Sequence, residues 1–225
     1  DSYAEGSHLR RTFGSVALDA DLTPDTQWQV NASNYRYVRR GEVGGFGVAA
    51  NVPFPAPVDP KRAGYGQPYS GNNNETSTIT TRVLHRFDSG WQLTAGLSRQ
   101  IADRESTTVT NTLRSAAGNY ATTSSSVAAS RFTVTGNQLS LNGKVQAGGM
   151  QHDITVANNG FDWNNYNPRA GRVITLGQAS LAAPALYAQP DWPDFKQRYQ
   201  SAAQRQQSLI LADTVDLDPN CQVML

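Results

Sequence analysis

The chain has 225 residues, of which 38% are hydrophobic, 9% aromatic and 16% charged, and its formal net charge is +1. No stretch approaches the ~18 uninterrupted apolar residues of a transmembrane helix, whereas a transmembrane β-barrel stays open because its strands alternate lipid-facing and polar side chains. The balanced charge excludes a nucleic-acid surface, and the lone Cys221 excludes an internal disulfide or a cysteine metal cluster.

Residues Asp1 to Gly6 carry no secretory pattern. The first strong alternation follows, with Val16, Leu18, Ala20 and Leu22 interleaved with Ser15, Ala17, Asp19 and Asp21, and it resumes after Thr23-Pro-Asp-Thr26 with Trp28, Val30 and Ala32. Pairing Leu22 with Trp28 across a turn over 23–27 places Ala20 opposite Val30 and Leu18 opposite Ala32, which makes one face apolar and the other wet. A long polar and Gly/Pro-rich connection spans Gly41 to Glu75. The second hairpin turns on Asp88-Ser89-Gly90, pairing His85 with Leu93, Val83 with Ala95 and Thr81 with Leu97. A second long connection centres on Ser115 to Ser126.

The third hairpin turns on Gly148-Gly149, which tolerates positive φ at both positions. It pairs Ala147 with Met150, Gly143 with Ile154 and Leu141 with Val156, with Lys144 facing Asp153 on the polar side. A third long connection spans Asn167 to Gln200, and Asp218-Pro219-Asn220 then joins Leu209, Leu211, Val215 and Leu217 to Cys221, Val223 and Leu225.

Short and long connections thus alternate along the chain, as they do when one end of every hairpin faces the periplasm and the other the exterior. Trp28, Phe87 and Trp91 stand at the short-turn ends, where an interfacial aromatic belt lies. The predicted fold is all-β: an antiparallel up-and-down transmembrane barrel, incomplete, with about seven to eight strands of a larger one. The eighth strand is about half the ~9–11 residues of a spanning strand, and open edges are not tolerated in lipid. Neighbouring strands must therefore come from outside residues 1–225.

Several stretches resemble the TonB-dependent ferric siderophore receptors of Gram-negative outer membranes: Leu9-Arg-Arg11, Leu22-Thr-Pro-Asp-Thr26, Asn34-Tyr-Arg-Tyr37, Ala129-Ser-Arg-Phe132, Tyr166-Asn-Pro-Arg169, Asp191-Trp-Pro-Asp-Phe195 and Arg205-Gln-Gln-Ser-Leu209. The resemblance implies a barrel of about 22 strands closed around an N-terminal plug. It implies uptake of ferric siderophores at the outer membrane with energy delivered by TonB. Residues 1–225 then form one partial barrel domain, with the plug, through which TonB acts, and the C-terminal barrel strands lying elsewhere. The partners so implied are a ferric siderophore, TonB and outer-membrane lipid, and iron enters only within the chelate, with no resident cofactor or metal.

No catalytic set is visible. His8, His85 and His152 are scattered, and the latter two suit interfacial hydrogen bonds near the turns. Gly44-Gly45-Phe46-Gly47 neither follows a buried parallel strand nor opens a helix, so it is not a phosphate loop. Asp19 and Asp21 read as polar-face charge, balanced by Arg82, Arg86 or a plug. The candidate ligand-binding residues are aromatics and arginines at the long-connection ends: Tyr35, Tyr37, Arg39, Arg40, Tyr120, Trp163, Tyr166, Arg169 and Trp192. Rigid aromatic faces and forked guanidinium donors suit a bulky anionic ferric chelate. The rival reading is a surface β-sheet adhesin or carbohydrate-binding module, in which Trp163 and Trp192 stack on sugars and the apolar faces pack between two sheets.

Overall fold

The computed structural model describes residues 6–59, 61–218 and 221–224. Its strands are β1 (His8–Thr23), β2 (Thr26–Arg40), β3 (Gly45–Val48), β4 (Gly71–Arg86), β5 (Gln92–Leu113), β6 (Asn119–Ala147), β7 (Met150–Pro168), β8 (Val173–Ser180), β9 (Arg198–Asp218) and β10 (Cys221–Met224). They form one sheet in the order β1-β2-β4-β5-β6-β7-β9-β10, antiparallel throughout, with β3 added in parallel to β5 and β8 antiparallel to β6. This is an open, up-and-down wall. The β1–β2, β4–β5 and β6–β7 turns fall at one end and the β5–β6 turn at the other, because consecutive strands of an antiparallel path reverse direction at each step.

The second and third hairpins have the register read from their turns: His85 faces Leu93, Val83 faces Ala95, Leu141 faces Val156 and Lys144 faces Asp153. Gly148 and Gly149 sit at φ 58° and 81°, the mirror-image turn that matches strand twist. The first hairpin differs from expectation by two residues. Ala20 faces Trp28, Leu18 faces Val30 and Val16 faces Ala32, because Thr23 pairs directly with Thr26 around Pro24-Asp25 and an irregularity between Asp21 and Thr23 absorbs the remaining residue. An even shift preserves which residues share a face. The tip of the fourth turn, Pro219-Asn220, lies outside the described residues, but Val223 faces Val215 beyond it.

Register carries one apolar row across the wall: Ala20, Trp28, Val83, Ala95 and Leu139 are successive neighbours, as are Leu93, Leu141, Val156 and Leu211. No described element packs against this face; strands touch only their hydrogen-bonded neighbours. Leu97, Leu209 and Leu211 are 61%, 70% and 69% exposed. The two-layer core required by the adhesin reading is not present among the described residues. At the short-turn end Trp91 lies so close over Gly143 that a Cβ there would fall 2.1 Å from the indole. Trp28 Nε1 donates to the Thr81 hydroxyl (2.8 Å), and the Thr26 hydroxyl and His85 Nδ1 are hydrogen-bonded at 2.8 Å.

The region 115–126 is not a long loop. β5 and β6 run for 22 and 29 residues and meet in a short turn at Ser115–Gly118, with Arg114 N–H donating to Asn119 C=O (2.8 Å). At about 3.3 Å per residue this hairpin is far longer than the ~30 Å hydrocarbon layer of a bilayer, so such a layer can span only part of it and the rest forms a distal extension. Serine and threonine there pair as strands rather than forming a loop, since threonine suits a pleated ladder.

The connections over 41–70 and 169–197 contain β3 and β8 and cover that extension. Here lies the chain's closed core, built on Tyr65, Val109, Leu113 and Tyr120, each at most 5% exposed. Tyr65 OH donates to Leu181 C=O (2.7 Å), and Gln67 joins the two connections, its Nε2 donating to Ala185 C=O (3.0 Å) and its Oε1 accepting from Tyr187 N–H (2.8 Å). Asn111 donates to Tyr65 C=O (2.7 Å) and accepts from the Thr122 hydroxyl (2.9 Å), which satisfies its buried amide. Phe46 meets Tyr65 and Tyr120 edge-on at 5.5 and 6.0 Å.

Candidate ligand site on the polar face

The side chains between the apolar positions point to the opposite, polar face. Because facing residues in an antiparallel ladder share a side, Tyr37, Asn74, Arg104 and Ser130 form one row and Tyr35, Thr76, Ala102 and Phe132 the next row toward the turns. Gln100, Val134 and Trp163 form the row below. These rows enclose an open cavity of about 560 Å³ lined by Asn72, Asn74, Gln100, Arg104, Phe132 and Trp163 among others. Trp163 and Phe132 stack at 6.1 Å with ring planes 24° apart, giving the wall a flat aromatic patch. Arg11 lies over the Tyr37 ring at 5.7 Å. Nearer the short turns, a second open cavity of about 800 Å³ on the same face is lined by uncharged Gln29, Asn31, Gln138 and Asn159, with Arg82 donating to Gln29.

Of the residues singled out in the sequence, Tyr35, Tyr37, Arg39 and Trp163 come to this face. Arg39 already holds Glu42 at 2.8 Å, so a ligand anion has to compete with that carboxylate. Arg40 projects to the other side, its guanidinium donating to the carbonyls of Arg39 (3.2 Å) and Asn72 (3.3 Å). Tyr166 is likewise on the opposite face, across from Arg131. Arg169 lies beyond β7 over the Tyr199 ring at 5.8 Å, and Trp192 is half-buried in the connection after β8.

Tyr120 belongs to the closed core at 1% exposure and does not face the cavity. Burial pushes its phenol up to about 12, with the neighbouring Tyr187 and Tyr65 phenols adding to the shift. Arg104, Phe132, Asn72, Asn74 and Gln100 line the cavity but are not among the residues singled out in the sequence. Strand parity counted outward from the Asp88–Gly90 turn assigns Gln100 and Arg104 to the polar face, the same side as Gln92 and Thr94. His152 is bound to Asp213 at 2.7 Å, and among the described residues no group of three or more His, Cys, Asp or Glu is arranged to hold a metal ion.

Neither a family model nor a curated protein sequence matches the chain. Solved structures do. FpvA of P. aeruginosa, in complex with a heterologous pyoverdine and iron, superposes with a TM-score of 0.72 at 16% identity, over 96% of this chain and 29% of that one. The ferric-catecholate import receptor Fiu of E. coli K12 gives 0.65 at 12% identity, over 97% and 36%. BauA, the ferric preacinetobactin receptor of Acinetobacter baumannii, gives 0.64 at 16%, over 96% and 32%. The chain spans about a third of the length of these receptors. Almost every described residue therefore lies within a shared architecture, and the fold is that of a segment of an outer-membrane siderophore-receptor barrel wall.

Proposed function

We propose that the chain is part of an outer-membrane receptor that binds ferric siderophores and imports them with energy relayed from TonB, and that it acts as transporter wall rather than enzyme. The supporting observation is the polar-face cavity toward the long-connection end, where Trp163 and Phe132 present flat aromatic surface and Arg104 lines the same cavity. Such a surface takes a bulky anionic chelate through stacking and charge-assisted hydrogen bonds while the chelator keeps its iron. The fold shared with two receptors whose names state ferric ligands, and with FpvA in its complex with a pyoverdine and iron, supports the same reading. Plug, TonB contact and barrel closure are supplied by other parts of the receptor.

The test is titration of a ferric tris-catecholate, and in parallel a ferric hydroxamate, into the intact receptor and its variants. Arg104→Ala and Arg39→Ala are expected to weaken binding by about 1.5–3 kcal/mol each where the contact is direct and shielded. Lys144→Ala, near the opposite end of the wall, leaves affinity unchanged. Equal losses at Arg104 and Lys144 contradict the assignment of the binding end.

A further inference from the structure

Toward the connections from the amide-lined cavity, the polar face carries its aromatic rings in two separate groups. Phe13 on β1 faces Tyr35 on β2, Tyr35 faces Thr76, Thr76 faces Ala102 and Ala102 faces Phe132, so these residues form a single row from β1 to β6. Phe132 stacks on Trp163 of the adjacent row at 6.1 Å. Rings therefore stand at both ends of the row, and the small side chains of Thr76 and Ala102 leave a trough between them. Tyr35 and Phe132 are three strands apart, about 14 Å between backbones at ~4.8 Å per strand. One stacking distance of ~4.5 Å at each end leaves about 5 Å in the middle. The charge beside this trough is one-sided. In the row nearer the connections Arg11 lies over the Tyr37 ring at 5.7 Å, Tyr37 faces Asn74 and Asn74 faces Arg104, which has no ion-pair partner among the described residues. Glu105 also lines the cavity, and its carboxylate accepts from Asn73 at 3.2 Å. Asp19 and Asp21 share the face but lie nearer the short turns, across from Gln29 and Gln27.

We propose that this site selects ferric chelates whose iron-binding arms are aryl rings of the catecholate type, and that it seats two arms at once. One arm lies against Phe132 and Trp163, the other against Phe13 and Tyr35, and the metal centre sits over Thr76 and Ala102. The inference rests on the receptor reading and names the ligand class which that reading leaves open. A catecholate arm has a flat π-face that stacks on either ring group. The tris-catecholate complex of Fe(III) is also strongly anionic, and Arg11 and Arg104 meet that charge with forked N–H donors. An aliphatic tris-hydroxamate complex is net neutral and has no ring, so it uses neither feature. Ferric citrate is anionic but ring-free, so it uses the guanidinium groups alone.

The intact receptor in detergent is titrated with the ferric complexes of a tris-catecholate, a linear aliphatic tris-hydroxamate and citrate. Wild type is expected to bind the tris-catecholate about tenfold more tightly than either of the others. Phe13→Leu and Phe132→Leu, measured singly, each remove most of that preference and leave the weaker binding of ferric citrate unchanged. Phe13→Tyr and Phe132→Tyr keep the preference, because the ring is retained. Heat-modifiable gel mobility on the same samples identifies the folded variants, and the comparison of the three chelates on wild type needs no variant at all. Equal or tighter binding of the hydroxamate or of citrate overturns the ligand class. A loss at Phe132→Leu with none at Phe13→Leu overturns the seating of two rings. Binding of none of the three chelates overturns the receptor reading itself, and the proposal with it.

Discussion

The spanning wall and the distal β5–β6 extension use the same strand alternation against two different solvents. In the wall, Leu97, Leu139 and Leu211 stay exposed on a face that no other layer covers. In the extension, the corresponding side of β5, with Val109, Asn111 and Leu113, is closed by the connections over 41–70 and 169–197, and Asn111 is 0% exposed. A soluble-type core thus stands on top of a membrane-type wall within one continuous hairpin. The difference teaches that alternation fixes which side chains share a face, whereas the segments returning from elsewhere decide whether that face meets protein or lipid.

The largest effect is expected in the closed core. Tyr120→Ala removes a ring buried between both connections and should cost about 3–5 kcal/mol, read as loss of hydrogen-exchange protection confined to β3, β8 and the extension while the wall stays protected. Uniform loss over the whole sheet would break the division. Next, Leu141→Arg on the wall should cost about 2–4 kcal/mol in a bilayer, measured by reversible folding of the intact receptor into vesicles. The same substitution at Ser140, on the polar face, should cost far less.

Gly143→Ala forces the Trp91 indole off the backbone and should cost about 1–3 kcal/mol, with a shift in tryptophan emission reporting the displaced ring. The pH response sharpens the contrast further. The Tyr120 phenol is pushed up to about 12 in the fold, so its contribution is complete below its unfolded value near 10 and is lost as pH rises through the folded one. Alkaline titration should therefore open the extension before the wall. Smallest is Lys144→Ala, whose 4.0 Å contact with Asp153 is solvent-exposed and worth about 0.2–1 kcal/mol.

Turn chemistry made the second and third hairpins legible, because Asp88-Ser-Gly90 and Gly148-Gly149 each admit one compact closure and thereby set the register of everything that follows. Thr23-Pro-Asp-Thr26 admits two closures, a wide loop or a two-residue turn beside an irregular residue, and only the fold shows which. The polar run after Ser115 reads locally as a connection, but its ladder is stabilised by β3, β8 and the Tyr65 region, all distant in sequence. Tyr120 was misassigned for the same reason, since its burial comes entirely from those segments. Tyr35, Tyr37 and Trp163 were legible as aromatics at strand ends, whereas Arg104 and Phe132 sit within long strands, where no turn flags them and only parity assigns their side.

The central claim is that one face of this wall meets lipid and the other a water-filled lumen, and site-directed spin labelling of the intact receptor in bilayers tests it most directly. With Cys221 replaced by serine, labels at Leu97→Cys and Leu139→Cys should be relaxed strongly by oxygen and weakly by a water-soluble nickel chelate, and labels at Thr94→Cys and Ser98→Cys should show the reverse. Labels at positions 97 and 139 that are shielded from both reagents, as in a packed protein core, would contradict the account.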